Sequence, residues 1–242
     1  MPAGAEPTLS RRGLLGAGLG RALYALADEP TAGSARRPAA SPSCAGFGEA
    51  DATRLGPSLE PVARHVLAAA GLDAGRPADV LVVAAGDGTP LSALAARGGH
   101  RVTAVEADGE LLRLGRAAVP ARWLTGRPTH LPVADTSADA ALAWFGASFE
   151  ADRRALAAEL QRCVRPGGAL ALAAWTPAAV AALAPEARSP ATRPEQWSRF
   201  ETAYRHFFGL TDLDVEEGVV DVPLDGTPEG RALGYAVVRA LA

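Results

Sequence analysis

Gly86 and Gly88 stand two residues apart in Ala84-Ala85-Gly86-Asp87-Gly88-Thr89-Pro90, after an apolar run and before a stretch with helical apolar spacing. Glycine permits left-handed turns and close backbone approach, so such a loop can turn main-chain N–H groups at a helix start towards a ligand. Pro90 suits the first helical turn, where its missing N–H costs nothing. A dinucleotide fingerprint, Gly-x-Gly-x-x-Gly, wants a third glycine at position 91, where this chain has Leu91. A ligand lacking a pyrophosphate fits better. Eighteen residues beyond Gly88 a second apolar run ends in Val105-Glu106-Ala107-Asp108, and a carboxylate at a strand end can accept both hydroxyls of a ribose. Together the two features point to an adenosine-containing ligand. The plainer alternative is that the glycines only turn the chain and Glu106 is a solvated acid.

Other chemistries lack their residues. All 24 basic residues are arginine, which excludes lysine Schiff bases, the Gly-Lys-Ser/Thr phosphate loop and a Tyr-x-x-x-Lys reductase pair. Cys44 and Cys163 are isolated, and His65, His100, His130 and His206 never fall at ligand spacing, so neither a disulfide framework nor a metal is expected. Cys163 reads as a small core residue, and His130 and His206 are the candidates for a general base. A net charge of −3 provides no basic field for nucleic acid or an anionic membrane, which leaves a small-molecule partner.

The elements that would position these residues alternate. Apolar positions 62, 66, 67 and 70 follow helical spacing up to Gly71. Strand-like runs at 79–84, 101–105, 121–125, 139–144 and 169–175 are interleaved with helical stretches near 89–97, 109–117 and 151–164, which predicts a parallel sheet with helices on both faces. After residue 176 the rhythm changes to helices at 177–184 and 195–207, then strands at 213–222 and 233–240, a terminal antiparallel hairpin. Residues 31–50 are rich in Ala, Ser, Pro and Gly and read as a linker. The expected division is an arm and linker over 1–54 and one α/β domain over 55–242. Within the arm, Arg11-Arg12 and the apolar residues up to 27 mimic a twin-arginine export signal. Arg21 interrupts them, and the uncharged run from Gly13 to Gly20 is too short to span a bilayer. The preferred reading is a helix with a Leu14, Leu15, Leu19 and Leu23 stripe in a cytoplasmic protein, export being the alternative.

Taken in order, VLVVAAGDG (80–88), VTAVEAD (102–108), LTGRPTHLPV (124–133), ADAALAWFGASF (138–149) and ELQRCVRPGGALALAAWTP (159–177) resemble the successive motifs of class I S-adenosylmethionine-dependent methyltransferases, especially the branch near quinone and sterol methyltransferases. The resemblance covers roughly residues 60–177. It implies a Rossmann-like seven-stranded sheet of order 3-2-1-4-5-7-6 with strand 7 antiparallel, and S-adenosyl-L-methionine as cofactor. The loop Ala84, Ala85, Gly86, Asp87 and Gly88 would hold its methionine part and Glu106 its ribose. Ala107 and Pro128 would face the adenine, with Arg127 beside them, and Trp144 and Phe145 would border the transfer site. The chain departs from the family where an acid is usual, at Val82, where the first loop glycine is usual, at Ala84, and where an adenine-reading Asp is usual, at Arg127. Methyl transfer is a direct displacement that needs positioning and exclusion of water rather than a nucleophilic residue. The expected function is methylation of a small, apolar or aromatic acceptor. The alternative is a non-catalytic relative that has lost cofactor binding and acts as a binding or scaffold module.

Overall fold

The computed structural model describes residues 55–72, 76–96, 98–145, 153–176, 179, 214–222 and 231–242. The expected arm, the linker, the 195–207 helix with His206, and all of the 177–184 helix but Ala179 lie outside them.

After a short 3-10 turn at Gly56–Leu59, helix α1 (Glu60–Ala69) buries Val62, Ala63, Val66 and Leu67 on one stripe. It stops where the sequence predicts. Gly71 takes a left-handed φ of +67°, with Gly71 N donating to Ala68 O and Leu72 N to Leu67 O, a glycine-terminated cap that satisfies two orphan carbonyls. Then follow β1 (Asp79–Val83), α2 (Thr89–Ala95), β2 (Arg101–Glu106), α3 (Gly109–Ala118), β3 (Arg122–Thr125), β4 (Ala138–Ala143), α4 (Arg153–Cys163), β5 (Val164–Trp175), β6 (Asp214–Val222) and β7 (Arg231–Leu241).

The seven strands form one sheet in the order β3-β2-β1-β4-β5-β7-β6. β1 to β5 run parallel and β7 runs antiparallel to both β5 and β6, as the resemblance implies. The fold is a Rossmann-like α/β sheet with an antiparallel C-terminal hairpin. Strand residues alternate between two cores. Val80, Val82, Ala104, Leu142 and Ala173 pack on the face covered by α1, α2 and α3, and Leu81, Val83, Ala141, Ala143 and Leu172 on the face covered by α4. Right-handed crossovers explain the division: β1 to β3 advance towards one edge and β4 to β5 towards the other, so their helices fall on opposite faces. The reversal lies between β1 and β4, and ligands of such sheets bind in the crevice beyond the C-terminal strand ends at that point.

β5 begins at Val164, five residues before the predicted start. Ala138 pairs with Val164 and Ala140 with Ala169, a register shift absorbed by Arg165-Pro166-Gly167-Gly168. Gly167 N donates to Ala242 O and Ala242 N to Gly168 O, so the irregular stretch is still paired with the end of β7. Arg165 joins an ion network at the N-terminal strand ends that the sequence does not reveal. It donates to Asp139 and to Asp79 (3.2 Å), Arg101 holds Asp79 through Nε (2.6 Å) and Nη2 (2.8 Å), and Asp79 N donates to Asp139 (2.8 Å). The Arg101 guanidinium foremost holds the Asp79 carboxyl below its ordinary 3.8; the Asp79 N–H and then Arg165 do the same for Asp139. Because both folded values are depressed, the network's stabilisation is complete above that ordinary value and is lost as pH falls below it. Denaturant melts between about pH 6 and pH 3 are expected to show wild type losing more stability on acidification than Arg165→Gln. Parallel pH profiles would contradict this role.

Candidate functional site

The loop after β1 makes three left-handed turns within five residues, at Ala84 (φ 55°), Gly86 (φ 59°) and Gly88 (φ 91°). The last two are glycine and the first is not, which concentrates strain at Ala84. Ala84→Gly is therefore expected to stabilise the fold by about 0.5–1 kcal/mol, read as a shift in denaturation midpoint; a destabilised variant would show that the loop does not need this conformation.

The two glycines serve different ends. A Cβ on Gly88 would press on Val119 (3.1 Å) and Trp123 (3.4 Å), so this glycine lets the loop settle on the α3–β3 connection. A Cβ on Gly86 would meet nothing within 4 Å, leaving an open side above the backbone where a ligand can approach. Asp87 is turned to the helix start: its Oδ1 accepts from Thr89 N (3.1 Å) and Thr89 Oγ1 (2.8 Å), an Asx turn that starts α2. The first N–H of α2 is thus occupied by its own loop, and the ligand-facing part contracts to the stretch around Gly86.

Glu106 is not the solvated acid of the plainer alternative. It is 7% exposed, with Oε2 accepting from Gly86 N (2.8 Å) and Oε1 from Ala107 N (2.7 Å) and Asp108 N (2.9 Å). One buried carboxylate therefore ties the loop to the end of β2 and fixes both in one geometry. A carboxylate offers about four acceptor positions, so capacity remains for a hydroxyl presented at that strand end. Asp108 is committed to capping α3, accepting from Glu110 N (2.9 Å) and Leu111 N (3.0 Å).

The connection after β3 folds back beside this carboxylate. Gly126 N donates to Glu106 O (3.2 Å), and Arg127 O accepts from His130 N (3.0 Å) across a tight turn with Pro128 second. Arg127 and His130 are exposed and Pro128 is half-buried. Arg127 is thus open to solvent, and the nearby carboxylate of Asp108 is engaged at the start of α3.

At the end of β4, Trp144 N donates to Val83 O (2.9 Å). The Trp144 and Phe145 rings are buried; they meet edge to face at 5.1 Å, and Phe145 stacks on Trp175 at 4.0 Å. Trp144 thus sits at the right strand end with its indole in the core. Val82, where an acid was usual, is fully buried in the same core. Burial pushes the Cys163 thiol up to about 11, in keeping with a packing role.

The structure thus brings together the residues 84–88, Glu106, Ala107 and the Arg127–His130 turn at the C-terminal strand ends, and leaves His206 undescribed. Sequence reasoning missed the double duty of Glu106 and the side chains that hold the turn from behind. Their one available signal was the pair of charged residues Glu159 and Arg162, one helical turn apart at the end of α4.

Residues 81–172, which span β1 to the middle of β5, match the family model described as a methyltransferase domain. Structural relatives agree. A chain in the complex between the Haloferax volcanii Trm112 methyltransferase activator and a proposed methyltransferase has a TM-score of 0.57 and 21% identity, covering 77% of this chain and 93% of that one. The fold is one that methyltransferases share. A structure from echinomycin biosynthesis, titled for conversion of a disulfide bond into a thioacetal, gives 0.58 at 19% identity, with 75% and 80% covered. An S-adenosylmethionine-dependent methyltransferase from Mesorhizobium loti gives 0.53 at 16%, with 76% and 98% covered. Uncharacterized proteins of Mycobacterium tuberculosis and Mycobacterium bovis are 35% identical over 123 residues, which is 49% of this chain and 44% of theirs, so the match spans less than half of those curated relatives. Among the described residues no helix is long and apolar enough to cross a membrane.

Proposed function

We propose that this protein binds S-adenosyl-L-methionine at the C-terminal ends of β1, β2 and β4 and transfers its methyl group to a small apolar or aromatic acceptor. The observation that carries the reading is the buried Glu106 carboxylate, joined to Gly86 N beneath an open backbone face. That arrangement fits an adenosyl ligand: Gly86 gives close backbone approach, Glu106 keeps acceptor capacity for the ribose, and Ala107 and Pro128 flank the place of a flat base. The bound group would supply an electrophilic methyl on a sulfonium. The chain's part is to orient that group and exclude water from the transfer line. His130 is the candidate for taking a proton from an acceptor hydroxyl. We assign the methyltransferase unit to residues 55–242 with residues 1–54 as an arm, and the protein to the cytoplasm, where its cofactor is made and kept.

Calorimetric titration with S-adenosylmethionine and S-adenosylhomocysteine tests this reading. Wild type is expected to bind both. Arg127→Asp is expected to change affinity by less than about threefold, because an exposed side chain contributes little at high dielectric. No binding by wild type, with a gain of about tenfold or more in the variant, would instead identify the protein as a non-catalytic relative with a decayed pocket.

A further inference from the structure

Arg162, on α4, uses every donor it has. Its Nε donates to Glu159 Oε1 (2.8 Å) and its Nη2 to Glu159 Oε2 (2.7 Å) and Leu131 O (3.0 Å); its Nη1 donates to Val133 O (2.9 Å) and Asp135 Oδ1 (2.6 Å). A guanidinium has five N–H groups in a fixed fork, and all five are engaged. Glu159, held below its ordinary value chiefly by this guanidinium, also accepts from Leu131 N (2.7 Å). Both main-chain polar groups of buried Leu131 are therefore fixed by the Arg162–Glu159 pair, and Thr136 N donates to Arg162 O (2.8 Å).

Leu131 directly follows the Arg127–His130 turn, whose other end is fixed by Gly126. Gly126 N is bonded to Glu106 O, and a Cβ on that glycine would run into Pro132 (2.6 Å) and Val105 (2.9 Å). With both ends pinned, the four-residue turn has little freedom, and the height of Pro128 above the end of β2 is set by the α4 clasp. We propose that Arg162 is a positioning residue for the adenine: it touches no ligand, but it holds the Pro128 turn where the base must lie. This rests on the cofactor reading above and extends it from the residues around the ligand to the one behind them.

The test measures binding of S-adenosylhomocysteine and of its deaminated counterpart, in which an oxo group replaces the adenine amino group, to wild type and Arg162→Gln. Wild type is expected to prefer the amino form. In the variant, affinity for S-adenosylhomocysteine is expected to fall by about tenfold or more and the preference to shrink below about threefold, with faster amide exchange at His130 and Leu131. A variant that keeps the wild-type preference, or wild type that binds both ligands equally, would overturn the assignment to Arg162 while leaving the cofactor reading intact. Wild type that binds neither ligand would overturn both. Should Arg162→Gln fail to fold, Arg162→Lys keeps the charge without the planar fork; it is expected to show the same loss of preference, and an unchanged preference there is equally contrary.

Discussion

Gly115→Val is expected to cost at least about 3 kcal/mol of stability, through overpacking against a fixed ring. Gly115 lies on the buried side of α3, and a Cβ there would fall inside the indole of Trp123. That ring has no free exit: it is buried, and its Nε1 donates to Val119 O (3.1 Å). The same indole lies under Gly88, so displacing it also disturbs the loop, and binding of adenosyl ligands should weaken in whatever fraction remains folded. Denaturant melts measure the first effect. A loss below about 1 kcal/mol would mean that Trp123 can move aside at little cost and does not support the loop.

Glu106→Ala is expected to do two things at once. Removing a buried acceptor shared by three backbone N–H groups leaves those of Gly86, Ala107 and Asp108 without their common partner, at a cost of about 1–3 kcal/mol. It also removes the ribose acceptor, so adenosyl affinity should fall by tenfold or more. Glu106→Gln separates the two. Its amide oxygen can keep the Ala107 and Asp108 bonds while its NH₂ faces the Gly86 N–H, so stability should lie between wild type and alanine. Melts and titrations of both variants provide the check. Full stability in Glu106→Ala would show that the carboxylate does not hold the loop, and unchanged affinity would remove it from the site.

Much of this architecture was legible because its determinants are local. The Gly71 stop of α1, the apolar strands and the terminal hairpin are set by residues within a few positions, and predicted bounds missed mainly where tertiary pairing extended a strand, as at Arg165–Gly168. The cofactor loop was legible for the same reason, since left-handed positions at Gly86 and Gly88 need residues without a Cβ. Burial of Glu106 was not. It depends on Gly86, Ala107 and Asp108 donating to one carboxylate, a convergence between strands that no single segment encodes. Arg162 was hidden for the same reason, because its partners on the 131–135 segment lie about thirty residues away. Ala84 shows a local rule overridden: propensity opposes a left-handed alanine, and the loop's tertiary bonds impose it.

The central claim is that an adenosyl ligand seats at the Gly86–Glu106 junction, and the amide chemical shifts of the labelled protein during titration with S-adenosylhomocysteine test it most directly. Large, saturable shifts are predicted at Gly86, Asp87, Ala107 and Asp108, with smaller ones through the Arg127–His130 turn. Those amides staying still while the ligand binds, or shifts confined to the opposite strand ends around Gly98–Val102, would contradict the account.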